Sequence, residues 1–582
     1  MGVNVGIFCA LFLLATQATG FPEVAALKKL HLPFKNHHSK DLSPGNFVQK
    51  RQALAIDTIF KLPVPVTNSW PPGGNFASGI IDLGGLQVHE ASTFMKVWGV
   101  YQGGADGQGF SVFEPTGIPQ GFSMLGSYCQ PNNKPLFGWI LVAKDVSANT
   151  SNPTLKQPLD YTLVWNSASL KINQDVPIYI WLPTAPDGYK AVGHVVTNTP
   201  DKPALDKVRC VRSDFTDQCE TKELIWGLDS FNVYDVRPSN RGIRAAGVRV
   251  GTFVAQTGSP NPLAIACLKN NNAIPKYMPN LEQIKAILKV YSPTMCLHPD
   301  EQFFPSSVEW FFSNGALLYK KGEESSPVRA TEDNLPQDPN NDGAYWLDLP
   351  ADPTEKERVK KGDLKSAKSY VHVKPMLGGT FTDVAVWVFY PFNGPARAKV
   401  EFITLKLGKI GEHVGDWEHV TLRLSNFNGE LKHVYFSQHS KGIWLDSSQL
   451  EFQSGNKPLY YSSLNGHASY PDASLHLLGI NAIGIRNDTG KGDSLDMGTF
   501  QLVAAEYLGS AVVEPGWLNY FRKWGPKIDY NIDDELKELE KHLPGMLKSS
   551  LKNIVSKLPS EVLEEEGPTG PKEKDNWNGD ER

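Results

Sequence analysis

The sequence predicts a mostly β protein: a threefold β-repeat, β-prism-like domain over residues 57–270, a β-sandwich domain over 271–530, and a short helical and disordered C-terminal part over 531–582. Three observations carry this. A chain of 582 residues is too long for one core. Its 42 Pro, 51 Gly and 14 Trp favour short strands and frequent turns over long helices. A phrase built on an aromatic residue, Pro, a Gly turn and a strand recurs three times in the first half.

The chain opens with MGVNVGIFCALFLLATQATG. Val5 to Ala15 has the form of an apolar signal core, and Ala18-Thr19-Gly20 is an acceptable cleavage site. The run is too short to span a membrane and lacks a basic flank. Residues 1–20 are expected to be a signal peptide and residues 21–56 a flexible segment. The expected location is the secretory pathway or vacuole if the leader acts as a signal, and cytoplasmic or membrane-peripheral otherwise. A net charge of -5 offers no basic face for nucleic acid. No later stretch is apolar enough for a transmembrane helix.

The repeated phrase reads VFEPTGIPQGFSMLG from Val112, IWLPTAPDGYKAVG from Ile180, and more loosely VYDVRPSNRGIRAAGVRVG from Val233. Each copy follows a stretch centred on Trp98, Trp165 or Trp226. Pro115, Pro183 and Pro238 are expected at strand edges or bulges, where a missing N–H costs least. The tryptophans are expected to share a core. No C-x-x-C occurs; Cys210 and Cys219 could pair in an oxidising compartment or remain buried thiols.

Met278 to Pro293 has helical spacing and should bridge the two domains. His298, Asp300 and Glu301 then occupy a turn before an aromatic segment. Apolar strands follow at FTDVAVWVFYPFNG, GDWEHVTLRL, KHVYFSQHSKGIW and PLYYSSLNGHASYP, as an antiparallel sandwich would require. The last three carry His413 or His419, His439 and His467 near an end. If Asp416 to Leu424 is extended, Asp416 and Glu418 share one face at a Cα spacing of about 6 to 7 Å, with Trp417 and His419 on the other. His413 can fold back across Gly415 over the first face. One imidazole and two carboxylates suit Ca²⁺, Mg²⁺ or Mn²⁺ better than zinc, and a cation would offset the repulsion of the acids. His413, Asp416 and Glu418 are therefore the candidate metal ligands, with His419, His439, His467, His298, Asp300 and Glu301 as neighbours. The competing assignment is structural, with Arg423 and Lys432 available as counter-ions.

NIDDELKELEKHLPGMLKSSLKNIVSKLP has helical periodicity broken at Pro544-Gly545. The tail EEEGPTGPKEKDNWNGDER has a disordered composition, with Trp577 as its one anchor.

The repeated phrase resembles repeats near the C-terminal part of the vacuolar protein sorting 13 lipid-transfer proteins. From about Asp57 to Arg582 the chain resembles the plant domain-of-unknown-function 946 family, also called the vacuolar protein sorting-associated protein 62 family. SWPPGGNFASGIIDLGGLQV, WLPTAPDGYKAVGHVVTN, HPDEQFFPSSVEWFF, GDWEHVTLRLSNFNGEL and WGPKIDY carry the likeness. It implies an association with vacuolar trafficking and trafficking proteins as partners. The string H-x-x-D-W-E also resembles the heptapeptide of the necrosis- and ethylene-inducing toxin-like proteins. That likeness implies a divalent cation at His413, Asp416 and Glu418 on a β-sandwich that engages sphingolipid sugars. Val414 and Gly415 depart from that motif, so the toxin activity does not transfer. The expected function is cation-dependent binding of a glycan, lipid headgroup or protein ligand. The alternative is a metal-dependent hydrolase using the same cluster; no G-x-S-x-G, H-E-x-x-H or phosphate-binding loop supports catalysis.

Overall fold

The computed structural model describes residues 53–582 except 67–69, 150, 259–261, 402, 440, 481–482, 542–543 and 556–566. The expected signal peptide and nearly all of segment 21–56 lie outside the described residues.

The first half contains three similar three-stranded meanders. They are β1 (Phe94–Val100), β2 (Phe110–Pro115) and β3 (Tyr128–Pro131); β4 (Asp160–Asn166), β5 (Tyr179–Thr184) and β6 (Val195–Thr197); and β7 (Cys219–Leu228), β8 (Phe231–Pro238) and β9 (Phe253–Thr257). In each, the first strand breaks register one residue before its tryptophan: between Lys96 and Trp98, Leu163 and Trp165, and Leu224 and Trp226. A bulge re-aims a side chain. Trp98 and Trp226 enter a shared core with Phe110, Ile180, Val233 and Phe253, and Trp165 stacks on Phe231 with ring centroids 4.3 Å apart. Two indoles also tie one unit to another. Trp98 Nε1 donates to the Val176 carbonyl at 2.6 Å, and Trp226 Nε1 to that of Gln102 at 2.9 Å. Pro115 and Pro238 end their strands.

Cys219 pairs with Cys267, not with Cys210, which is a buried free thiol, as are Cys129 and Cys296. Spacing in sequence misled here because antiparallel returns bring residue 267 to the start of β7. The bond closes a chain separation of 48 residues. Reducing it, or the Cys219→Ser/Cys267→Ser change, is expected to cost about 2–4 kcal/mol in a urea unfolding curve.

The second half is built on helix α1 (Leu281–Tyr291), where Asn280 and Gln283 cap each other's backbone N–H. The central sheet has six strands: β10 (Ser369–Met376), β11 (Phe381–Asn393), β12 (His413–Ser425), β13 (Leu431–Gln438), β14 (Lys441–Asp446) and β15 (Phe500–Ala504), in spatial order β14-β13-β12-β11-β10-β15. It is antiparallel except at β10–β15, which is parallel, so the sheet is mixed and not purely antiparallel as expected. Every residue of β11 is buried, because both faces are covered. On one face Val371, Val384, Val420 and Leu422 meet Met295, Tyr460 and Leu495 of a second sheet and Ile287 and Leu288 of α1. On the other, Trp387, Phe389 and Trp417 meet Phe311, Trp517 and Trp524.

Two short helices, Ile532–Lys541 and Gly545–Val555, follow, divided at Pro544 as the sequence predicts. Leu536, Leu547 and Leu551 bury against Ala398, Val400 and Ile485. Residues 567–582 overturn the expectation of a disordered tail: Trp577 is 3% exposed, and Asp580 and Glu581 are buried. The sheet supplies partners that composition alone does not reveal.

Candidate functional site

The strand parity predicted for Asp416 to Leu424 holds. Asp416 and Glu418 lie opposite Tyr390 and Val388, on the face toward the second sheet, while Trp417 and His419 lie opposite Phe389 and Trp387 on the other. Gly415 makes the local geometry. Its φ is +69°, and a Cβ there would stand 2.5 Å from the Trp524 carbonyl oxygen. Gly415→Ala is expected to destabilise by about 1–3 kcal/mol, read as a shift in the urea midpoint.

Around Asp416 the fold gathers three distant segments. His467 Nδ1 donates to Asp416 Oδ2 at 3.0 Å, and its ring stacks on Tyr390 at 3.8 Å. On its other side, His467 Nε2 stands 4.0 Å from Glu301 Oε1 and, though buried, has no hydrogen-bond partner. Glu301 is held in place by the N–H groups of Gln302, Phe303 and Asn465. His298 accepts from the N–H of Asp300, whose side chain faces solvent. His439 bonds Asn487 Oδ1 at 3.2 Å. His439 and His467 both take positive φ, 55° and 53°. Such backbone costs about 1–3 kcal/mol for a non-glycine residue and clusters at functional sites.

Electrostatics explain why the acids tolerate each other. Burial acts to raise the Asp416 pKa, but the His467 hydrogen bond and the charges of His413 and His467 hold it below the usual value. Burial pushes His413 and His439 down. Glu418 accepts from Ser437 Oγ at 2.6 Å, and His413 Nδ1 turns to the Gly415 carbonyl at 2.9 Å. Each member of the predicted triad thus has its own partner. Among the described residues no group of three or more His, Cys, Asp or Glu is arranged to hold a metal ion. The His467 hydrogen bond thus eases the burial of Asp416. Arg423 and Lys432 are not its counter-ions: Arg423 pairs with Asp383 and Asp580, and Lys432 with Glu90 and Glu430.

His419 belongs to a different cluster, on the opposite face. Lys374, Asp383, Arg423 and His433 stand in one cross-strand row, and His372, Ala385, Thr421 and Tyr435 in the next. Lys374 and Asp383 are fully buried. Arg423 makes two bonds to Asp383 and one to Asp580, at 2.6–2.8 Å. His419 Nε2 meets Glu581 Oε2 at 3.1 Å, and Thr421 donates to Glu581 Oε1 at 2.6 Å. Sequence reasoning missed this cluster. Its signal was present as charged residues at alternate positions of otherwise apolar strands, in YVHVKPM, FTDVAVWV and DWEHVTLRL.

The chain is similar to known proteins along most of its length. A family model described as "Vacuolar protein sorting-associated protein 62" matches residues 56–581. The Saccharomyces cerevisiae protein of that name is 25% identical over 219 residues, which covers 32% of this chain and 45% of the yeast protein. This chain therefore spans less than half the length of that relative. Among solved structures, GNIP1Aa from Chromobacterium piscinae aligns with TM-score 0.27 at 20% identity, over 36% of this chain and 40% of that one. NLPPya in complex with glucosamine aligns with TM-score 0.20 at 10% identity, over 42% and 81%. Both scores are too low to equate the folds. No helix among the described residues is long and apolar enough to cross a membrane. By the match of that family model from residue 56 to residue 581, the chain belongs to the vacuolar protein sorting-associated protein 62 family.

Proposed function

We propose that the protein acts in vacuolar protein sorting by binding, at the site where Asp416, His467 and Glu301 converge. The carrying observation is the unpartnered, buried Nε2 of His467. A carboxylate can only accept, so Asp416 fixes a proton on Nδ1, and in the neutral ring Nε2 then carries a lone pair. Orienting an imidazole through a carboxylate is how proteins prepare the other nitrogen for a ligand. A hydroxyl of a glycan or lipid headgroup would donate to it. The family match supports the sorting role and a vacuole-related location.

A divalent cation is the second reading of the same atom, favoured by the lone pair. A ring nitrogen suits Mn²⁺ more than Ca²⁺ or Mg²⁺. Titration calorimetry with MnCl₂ and a glycan array separate the two. His467→Gln and Asp416→Asn are expected to weaken whichever binding is seen at least tenfold, with the circular dichroism spectrum unchanged. The same binding profile in wild type and His467→Gln would sink this assignment.

A further inference from the structure

We propose that the Lys374–Arg423–His419 face of the central sheet is a receptor groove for an acidic peptide, filled in this fold by the chain's own Asn576–Arg582. The proposal concerns the face opposite the Asp416 site and stands or falls separately from it.

The first observation is the chemistry of the face. The same strands present Val371, Val373, Val384, Val386, Val420 and Leu422 to the other side. Toward residues 576–582 they present His372, Lys374, Asp383, Thr421 and Arg423. Buried ion pairs are often no more stabilising than apolar residues of the same size. A face built only to hold a segment in place has no need of two cations and a carboxylate at its centre.

The second observation is how the segment is held. Lys374 Nζ donates to the carbonyls of Asn576 and Gly579. The Ile243 N–H donates to the Asn578 carbonyl at 3.0 Å, and Tyr435 Oη to that of Arg582 at 2.5 Å. Asp580 receives Arg241 and Arg423, at 2.8 and 2.6 Å. Glu581 receives His419 and Thr421. The Trp577 ring lies 3.9 Å over His372. Main-chain carbonyls, two acids and one aromatic anchor are the features by which grooves read peptides.

The third observation is the fit of the far wall. Gly242 has φ +148°, and a Cβ on it would stand 2.7 Å from the Asn578 carbonyl oxygen. The loop carrying Arg241, Gly242 and Ile243 is thus shaped to this main chain, and it comes from the threefold-repeat half of the protein. A peptide in the groove bridges both halves. The partner it fits carries an aromatic residue followed, three and four positions later, by two adjacent acids. The chain's own segment competes at an effective concentration on the order of millimolar, so the groove opens to a partner only when that segment yields.

A fluorescent peptide of residues 574–582 tests this by anisotropy against the full chain and against its Asp580→Asn/Glu581→Gln variant. The variant is expected to bind the peptide at least tenfold tighter than wild type does, and a peptide carrying the same two changes is expected not to bind. In parallel, millimolar wild-type peptide is expected to speed amide exchange of residues 576–581 in the wild-type chain. Either result supports the groove. Failure of a folded variant to bind, together with unchanged exchange in wild type, overturns it. If the variant does not fold, unchanged wild-type exchange overturns it alone.

Discussion

Arg423→Met is expected to destabilise the protein by about 3–5 kcal/mol, measured as the change in urea unfolding free energy. Arg423 lies between two buried carboxylates, Asp383 and Asp580, which are 0% and 7% exposed. It is held firmly charged by both, against the cost of its burial. Removing it takes away the hydrogen-bonded cation of Asp383 and leaves Asp580 to Arg241, with little water to screen the two acids. The loss therefore comes from the stranded acids, not from the missing attraction itself. Two consequences follow from that origin. Changing Asp383 and Asp580 to leucine in the same chain is expected to recover most of the loss. The single variant is also expected to lose less relative to wild type at low pH, as burial already pushes the Asp383 pKa up and eases its protonation. A loss below about 1 kcal/mol at pH 7 would mean that the row is solvated like a surface pair.

Acidification is expected to destabilise the fold in two stages. His194 is 1% exposed, and burial lowers its pKa to about 4. Burial also lowers His372 and His433, the latter helped by the surrounding charges of Arg249, Lys222, Lys134 and Arg423. A histidine neutral in the fold takes up its proton first in the unfolded chain. Its contribution is complete above the unfolded value near pH 6.5 and is lost as pH falls toward the folded value. For His194 alone that loss reaches about 3 kcal/mol by pH 4. The second stage is carried by acids. Burial acts to raise Asp580 and Glu581, but Arg423 and Arg241 offset this for the first and His419 and Lys374 for the second, holding both at about 2. Their contribution is intact above about pH 4 and lost as pH falls toward 2. Urea midpoints from pH 7 to pH 3 test this, and His194→Gln should flatten the first stage. Stability that stays level from pH 7 to pH 5 would refute it.

Much of the Asp416 site was legible. Alternation along Asp416 to Leu424 sorts the two acids from Trp417 and His419, because a strand points successive side chains to opposite faces whatever it pairs with. The two histidine-bearing segments after it, at His439 and His467, and the His298 to Glu301 turn before it, stood out by composition. What alternation cannot supply is a partner. Asp416 meets His467 across 51 residues and Glu301 meets Asn465 across 164, distances at which no local pattern constrains pairing. The hydrogen bond from His467 to Asp416 is among the partners that a count of acids and histidines does not reveal.

By itself the sequence determined the strand-rich class, the three tryptophan-centred repeats, the helix within Met278 to Pro293 and the break at Pro544-Gly545. These rest on local causes: turn chemistry and side-chain period. Only the tertiary structure decided that Cys219 joins Cys267, that residues 567–582 are folded, and that Arg423 reaches Asp580 across 157 residues. The reason is energetic. A tail of polar composition has too little apolar surface to order itself. It is ordered here because buried Lys374, Arg423 and His419 already stand in register on the sheet and need its carbonyls and acids as partners.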